Sequence, residues 1–286
     1  MNQKIIDLYD EYLQEHLDRR GFLKRLTVLA GSIAAAGAWL LLLENSPAGA
    51  EIVPKDDPRL ETVKITYPGA TGQVQSYLAK PKGAVKLPAV VVIHENRGLN
   101  SHIEDVARRV ALEGYLAMAP DAISPSGGTP ADPDKARDLI GKLDDESTQQ
   151  NYVAAIKFLK THKLSTGKVG VIGFCWGGRM ANLVAVKSPD LAAAVPYYGR
   201  QPAAEDVPKI RASLLLHYAG MDEGINKGIP EYEAALKKAG VEYKLYMYAG
   251  AQHAFNNDAN PDRYHKEAAE LAWKRTMAFL GEKLKG

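Results

Sequence analysis

Gly170-Val171-Ile172-Gly173-Phe174-Cys175-Trp176-Gly177-Gly178 is the stretch that decides how this chain is read. Lys168 to Ile172 reads as a short buried strand, and Met180 to Val186 as a helix. Between them glycines surround the only cysteine in 286 residues. The pattern G-x-C-x-G is the thiol version of the G-x-S-x-G nucleophile elbow, a tight strand-to-helix turn. The backbone of such a turn is strained, and a Cβ at Gly173 or Gly177 would meet the neighbouring strand or helix. The turn lifts the sulfur out at the carboxyl end of the strand. It also aims the first N–H groups of the next helix at the sulfur. Alone, a cysteine beside an apolar strand usually reads as a small buried hydrophobe.

The rest of the composition sets bounds. The chain is long enough for one large α/β domain or two small ones. It is 46% hydrophobic and 24% charged, as an ordinary globular protein is, and its net charge of +2 does not suggest a nucleic-acid partner. One cysteine excludes an intramolecular disulfide framework and a cysteine-based metal cluster. No cofactor or metal is implied.

The first fifty residues read as a segment apart from the fold. Asp18-Arg19-Arg20-Gly21-Phe22-Leu23-Lys24 resembles the twin-arginine export motif. An apolar run follows from Leu26 to Leu43. Then comes Ser46-Pro47-Ala48-Gly49-Ala50, in which Ala48-x-Ala50 suits signal peptidase. Cleavage after Ala50 is expected, with residues 1–50 a signal segment and 51–286 the globular domain. The implied partner is the twin-arginine export machinery, and the implied location is the periplasm or another exported site. The alternative is that residues 26–43 remain as a membrane anchor.

From Glu51 onward, strands alternate with helices. Glu61 to Tyr67 and Gln73 to Ala79 predict two antiparallel strands around the turn Pro68-Gly69-Ala70-Thr71-Gly72. Pro88 to Ile93 is a continuous apolar run, as expected of a strand buried on both faces of a parallel sheet. A helix over His102 to Glu113 stops at Gly114, and Tyr115 to Ala119 is the next strand. Ser124 to Pro133 is a Gly/Pro-rich loop long enough to overhang a site. Helices over Lys135 to Leu143 and Thr148 to Leu159 lead to the elbow. Beyond it lie strands over Ala192 to Tyr197 and Ser213 to Tyr218, and a helix over Tyr232 to Ala239 ending at Gly240. A strand over Val241 to Tyr248 and a closing helix over Pro261 to Leu280 complete the chain. No repeat and no linker divides it. This alternation predicts one doubly wound, mainly parallel sheet with helices on both faces.

An elbow nucleophile needs a base, and the base needs an orienting acid. In the α/β-hydrolase fold these follow in the order nucleophile, acid, histidine. Asp222 lies just after the Ser213–Tyr218 strand and His253 just after the Val241–Tyr248 strand. Parallel strands deliver both to the rim where Cys175 emerges. Singly, such an aspartate reads as a turn former and such a histidine as a polar loop residue. In order, they read as a Cys-His-Asp triad in which His253 shares the thiol proton and Asp222 fixes the ring. His94, at the end of a strand on the same rim, is a weaker candidate, and His217, inside an apolar strand, reads as a core residue. The oxyanion hole is expected to use the N–H of Trp176 and the N–H of Asn96.

Gly173-Phe174-Cys175-Trp176-Gly177-Gly178, with Asp222, His253 and His94-Glu95-Asn96-Arg97-Gly98, resembles the dienelactone hydrolase (carboxymethylenebutenolidase) family. The resemblance runs from about Val63 to the C-terminus. His-Glu-Asn-Arg-Gly-Leu and His-Ala-Phe-Asn-Asn suggest its exported branch. It implies a role for Glu95: a glutamate there interacts with the resting thiol, shifts when substrate binds, and helps the thiol lose its proton. From the residues alone, Glu95 reads as a salt-bridge partner of Arg97 or Arg108. The resemblance also implies arginines that hold a substrate carboxylate, one of them four residues after the catalytic histidine. Here that position is Asn257, and an amide does not replace a guanidinium fork. Arg97, Arg179 and Arg200 are the other possible substrate contacts. The expected function is hydrolysis of a small lactone or activated ester through a thioacyl-enzyme. A non-catalytic binder or a redox-responsive thiol protein with the same fold is the alternative.

Overall fold

The computed structural model describes residues 8, 12, 19–32, 35–36 and 51–286. Its first helix is α1 (Arg19–Ala30). There follow β1 (Leu60–Gly69), β2 (Gly72–Pro81), β3 (Leu87–Ile93), α2 (Ser101–Leu112) and β4 (Leu116–Pro120). Helices α3 (Pro133–Ile140) and α4 (Asp145–Thr161) precede β5 (Ser165–Phe174) and α5 (Trp176–Lys187). The remainder is β6 (Ala193–Tyr197), β7 (Ser213–Ala219), the short α6 (Glu223–Asn226), α7 (Ile229–Ala239), β8 (Tyr243–Tyr248) and α8 (Lys266–Leu280).

The strands form one sheet in the order β1-β2-β4-β3-β5-β6-β7-β8. β2 runs antiparallel to β1 and β4, and the pairs from β4 through β8 are parallel. The apolar runs explain the double cover. Along β3, Val90 and Val92 belong to one buried cluster and Val91 and Ile93 to the other, because strand side chains alternate. The first cluster takes Ile103, Val106 and Val110 of α2 with Ala272 and Phe279 of α8. The second takes Ile156 of α4, Val184 of α5 and Leu236 of α7.

Where boundaries differ from expectation, capping or tertiary contacts account for it. α3 begins at Pro133, not Lys135, because Asp132 caps it: Oδ1 accepts from the Asp134 and Lys135 N–H groups at 2.9 and 3.3 Å. Proline suits the first helical position, where its missing N–H costs nothing. α5 starts directly at Trp176, so Gly177 and Gly178 are helical. The closing helix begins at Lys266, five residues later than Pro261. Residues 256–264 instead make successive turns, with Asn260 N–H bonded to Asn257 O and Arg263 N–H to Asn260 O. That segment is shaped by partners elsewhere in the chain, described below.

The body of the fold is joined from Glu51 onward. The Asp105 carboxylate accepts from the N–H groups of Ile52 and Val53 at 3.1 and 2.9 Å, and Arg108 Nε donates to Val53 O at 2.7 Å. The fully buried Arg108 is thereby engaged, with Glu51 at 3.3 Å. Before that point, Phe22 and Leu26 of α1 are buried with Leu8, Tyr12 and Ala36. The Arg137 guanidinium lies 4.1 Å over the Tyr12 ring. Half of the expected apolar run and the expected cleavage site at Ser46–Ala50 fall outside the described residues. Among the described residues no helix is long and apolar enough to cross a membrane.

Candidate active site

The elbow follows from its glycines. Cys175 has φ 55° and ψ −117°, left-handed backbone that a side-chain-bearing residue adopts only under constraint. A Cβ on Gly173 would run into the Gly177 carbonyl, and one on Gly177 into the carbonyls of Ile93 and His94. β5, β3 and the start of α5 approach closely only because both positions are glycine. The carboxyl ends of β5, β7 and β8 then bring three side chains together. Cys175 Sγ lies 3.1 Å from His253 Nε2, and His253 Nδ1–H donates to Asp222 Oδ2 at 2.6 Å. Asp222 also caps α6, its Oδ1 accepting from Ile225 N–H at 3.4 Å. All three residues are buried.

Burial alone would push the His253 pKa down. The charges of Cys175 and Asp222, and the hydrogen bonds to them, outweigh that and hold it well above its ordinary value. The ring is therefore biased toward the cation, poised between an acid and a thiol. Two further non-glycine residues with positive φ adjoin it, Tyr198 (φ 39°) and Ala254 (φ 65°). The Tyr198 ring packs 5.1 Å from the His253 ring and edge-on to Phe255 at 5.3 Å. Among the described residues, every positive-φ position that is not glycine lies at this site. Strain is concentrated where side chains must converge.

Trp176 N–H is the first amide of α5, where a helix has no carbonyl of its own to bind. Asn96 is buried in the loop after β3. That loop is tied down by Thr129, whose Oγ1 accepts from Leu99 N–H at 2.9 Å and donates to Asp121 Oδ1 at 2.8 Å. Asp121 also accepts from the N–H groups of Ile123 and Thr129 at 2.9 and 2.7 Å. The Gly/Pro-rich Ser124–Pro133 loop is therefore latched to the Glu95–Leu99 loop. Sequence reading missed Asp121 and Thr129.

His94 is fully buried and structural in its contacts. Its Nε2 accepts from Ala122 N–H at 3.1 Å, so its proton sits on Nδ1 and donates to Glu95 O at 2.6 Å. Burial lowers its pKa against the pull of Asp121. The ring stacks on Trp176 with centroids 5.3 Å apart. His217 is a core residue, as its apolar strand suggested. Tyr248 O–H donates to Nδ1 at 2.9 Å, and Nε2–H donates to Thr276 Oγ1 at 3.0 Å.

Glu95 is engaged by a residue that neither expectation named. Its Oε2 accepts from Asn257 Nδ2 at 2.6 Å, so it is held by the loop after His253 and not by Arg108. The thiol is hydrogen-bonded to His253 rather than to Glu95. Asn257 is itself oriented, since its Oδ1 accepts from Ala259 N–H at 3.0 Å. Beside it, Asp258 is gripped by Arg109 at 2.7 and 3.1 Å and approached by His102 Nδ1 at 3.3 Å. These bonds fix the loop ahead of the closing helix, which starts only after His265, whose side chain caps it at Ala268 N–H and whose own N–H bonds Phe255 O. Arg179 is turned onto Asp145 at the start of α4. Arg97 is half-buried in the β3 loop, and Arg200 is exposed after β6. Nothing in the sequence marked Tyr198, Asp258 or Arg109, whose importance comes from contacts distant along the chain.

A mainly parallel sheet with an elbow after β5, an acid after β7 and a histidine after β8 defines an α/β-hydrolase. The sequence matches the Dienelactone hydrolase family over residues 74–284. The chain belongs to that family, and by class it is a hydrolase of carboxylic esters or lactones. A carboxymethylenebutenolidase homologue from Methylorubrum extorquens is 32% identical over 274 residues, covering 90% of this chain and 92% of its own. One from Saccharolobus solfataricus is 33% identical over 255 residues, covering 76% and 97%. The crystal structure of a dienelactone hydrolase homologue from Klebsiella pneumoniae superposes with a TM-score of 0.70 at 29% identity, covering 78% of this chain and 98% of that one.

Proposed function

We propose that the chain hydrolyses a small lactone or activated ester through a thioacyl-enzyme on Cys175. What carries the reading is the unbroken chain of contacts from Cys175 Sγ to His253 Nε2, 3.1 Å, and from His253 Nδ1 to Asp222 Oδ2, 2.6 Å. His253 Nε2 takes the Cys175 thiol proton, the Sγ electron pair attacks the carbonyl carbon, and the carbonyl π pair moves onto oxygen. The Trp176 and Asn96 N–H groups hold that oxyanion. As it collapses, the C–O bond to the leaving group breaks, and His253 Nε2 gives that oxygen its proton. Water then loses a proton to His253 and attacks the thioester. The C–S bond breaks, Sγ keeps the electron pair, and the acid leaves. Asp222 balances the ring's charge throughout. A thiolate is a good leaving group, so amides with poor amine leaving groups are disfavoured.

The test is a screen of lactones and aryl esters with wild type, Cys175→Ala and His253→Ala, with intact-mass detection of an acyl adduct. Turnover and an adduct on Cys175 are expected in wild type alone, and hydrolysis that survives Cys175→Ala would sink the mechanism. We also propose that the chain is exported folded by the twin-arginine machinery. The support is Arg19-Arg20 ahead of the apolar run and the Ala48-x-Ala50 site. In that location the single thiol has no partner for an intramolecular disulfide.

A further inference from the structure

Two buried polar atoms beside the triad make no well-formed hydrogen bond among the described residues. One is Glu95 Oε1 and the other the Tyr198 hydroxyl. Leaving a buried donor or acceptor unmet is costly, so such atoms are rare unless a ligand meets them. They share one neighbourhood. The Tyr198 ring packs 5.1 Å from the His253 ring, and Asn257, four residues after His253, holds Glu95; burial first, then the charges of Glu95 and Cys175, raise the Tyr198 hydroxyl well above its ordinary pKa, against an opposing contact with the Asn256 backbone. Glu95 Oε1 is left over for a definite reason. Asn257 Nδ2 takes Oε2, and Ala259 N–H pins the Asn257 oxygen, so the amide cannot turn to offer more. The Asp258 clamp on Arg109 holds that stretch of loop in place. The group in contact with Glu95 is therefore a neutral amide, and among the described residues no cation is paired with it.

We infer that Glu95 is a specificity-determining residue: Oε1, together with the Tyr198 hydroxyl, receives a hydroxyl group on the substrate close to the scissile carbonyl, and the same carboxylate turns away an acyl group that carries a carboxylate. A hydroxyl both donates and accepts, which suits a carboxylate oxygen facing a phenol. A second carboxylate would face Glu95 across a neutral amide, with no paired cation among the described residues. The inference rests on the reading of Cys175 as the nucleophile that locates the carbonyl.

The test uses p-nitrophenyl esters of butyrate, 2-hydroxybutyrate, 3-hydroxybutyrate and hemisuccinate. Wild type is expected to favour one hydroxy ester over butyrate by roughly tenfold or more in kcat/KM, and to disfavour the hemisuccinate by a similar factor. Glu95→Gln supplies the decisive readout. Asn257 still donates to position 95, so Gln must turn its oxygen there and present its NH2 at the open position. The hydroxyl preference should shrink and the hemisuccinate penalty should vanish, whatever happens to the overall rate. Tyr198→Phe should reduce the hydroxyl preference and leave the hemisuccinate ratio as it was. Wild-type ratios within about threefold of one another, or ratios unchanged by Glu95→Gln, would overturn the inference. Protection of Cys175 from iodoacetamide by butyramide, the hydroxybutyramides and succinamate reads the same preference without turnover. A protein that shows this preference but hydrolyses nothing would refute the hydrolase reading alone.

Discussion

Thr276→Val removes one oxygen from the buried face of α8, and the hydrogen bonds around that oxygen make its cost calculable. Thr276 is fully buried, with Oγ1 2.6 Å from the Tyr197 hydroxyl and 3.0 Å from His217 Nε2. The protons can be assigned. Arg275 Nη1 donates to the Tyr248 oxygen at 3.2 Å, so the Tyr248 proton goes to His217 Nδ1, and Nε2 must carry the other hydrogen. Burial, then Arg275, pushes His217 down to about 3, so the ring is neutral at pH 7 and the loss is of dipolar bonds, not of a charge. Valine nearly matches threonine in shape, which leaves no room for a replacement water. Two groups, His217 Nε2–H and the Tyr197 hydroxyl, then lie unmet in the core. At about 1–3 kcal/mol each, the expected loss is about 2–6 kcal/mol. Adding Tyr197→Phe removes one orphan and should restore part of that loss. Urea unfolding monitored by tryptophan fluorescence measures both steps, with m unchanged. A loss under about 1 kcal/mol, or a double variant less stable than Thr276→Val, would refute the proton assignment.

Asp222→Asn should lower kcat/KM on an aryl ester by about 10²–10⁴-fold, since it removes the charge that balances the ring and disturbs its tautomer; a loss under fivefold in stopped-flow assays would exclude Asp222 from the relay. The same variant has a pH signature. The His253 pKa is raised in the fold, so its stabilising contribution is complete below about 6.5 and fades as pH rises through the folded value. The deficit of Asp222→Asn in urea melts should accordingly narrow on the alkaline side. Asp258 behaves in the opposite sense. Burial alone would raise it, but hydrogen bonds from His102 and Arg109 bring it from 3.8 to about 2. That contribution, about 1–2 kcal/mol after screening, is complete above the ordinary value and lost as pH falls toward 2. Asp258→Asn should therefore be less stable than wild type at pH 7, with a gap that closes as pH falls from about 4 to about 2; a pH-independent gap would dismiss the clamp. For export, replacing Arg19 and Arg20 by lysine should trap the full chain in the cytoplasm on cell fractionation, and unchanged secretion would rule out the twin-arginine route.

The elements whose information is local were legible in the sequence. Pro88 to Ile93 announced a strand covered on both faces, and β3 is fully buried over nearly that span. The glycines around Cys175 announced an elbow, because no other residue tolerates carbonyls that close. The order of Cys175, Asp222 and His253 conveyed which strands would carry them, since parallel strands send their carboxyl ends to one rim. The loop after His253 was not legible. The helix was expected from Pro261 and begins at Lys266; just ahead of it Asn257 reaches Glu95, 162 residues away, and Asp258 reaches Arg109, 149 residues away.

Sequence alone therefore determined the sheet, the elbow and the identity of the residues that could do chemistry, because strand burial and glycine sterics depend on near neighbours. Only the tertiary structure decided which oxygen of Glu95 is engaged, which tyrosine ring packs against His253 and where the last helix begins. Those depend on hydrogen bonds between loops distant along the chain, which pattern and propensity do not encode.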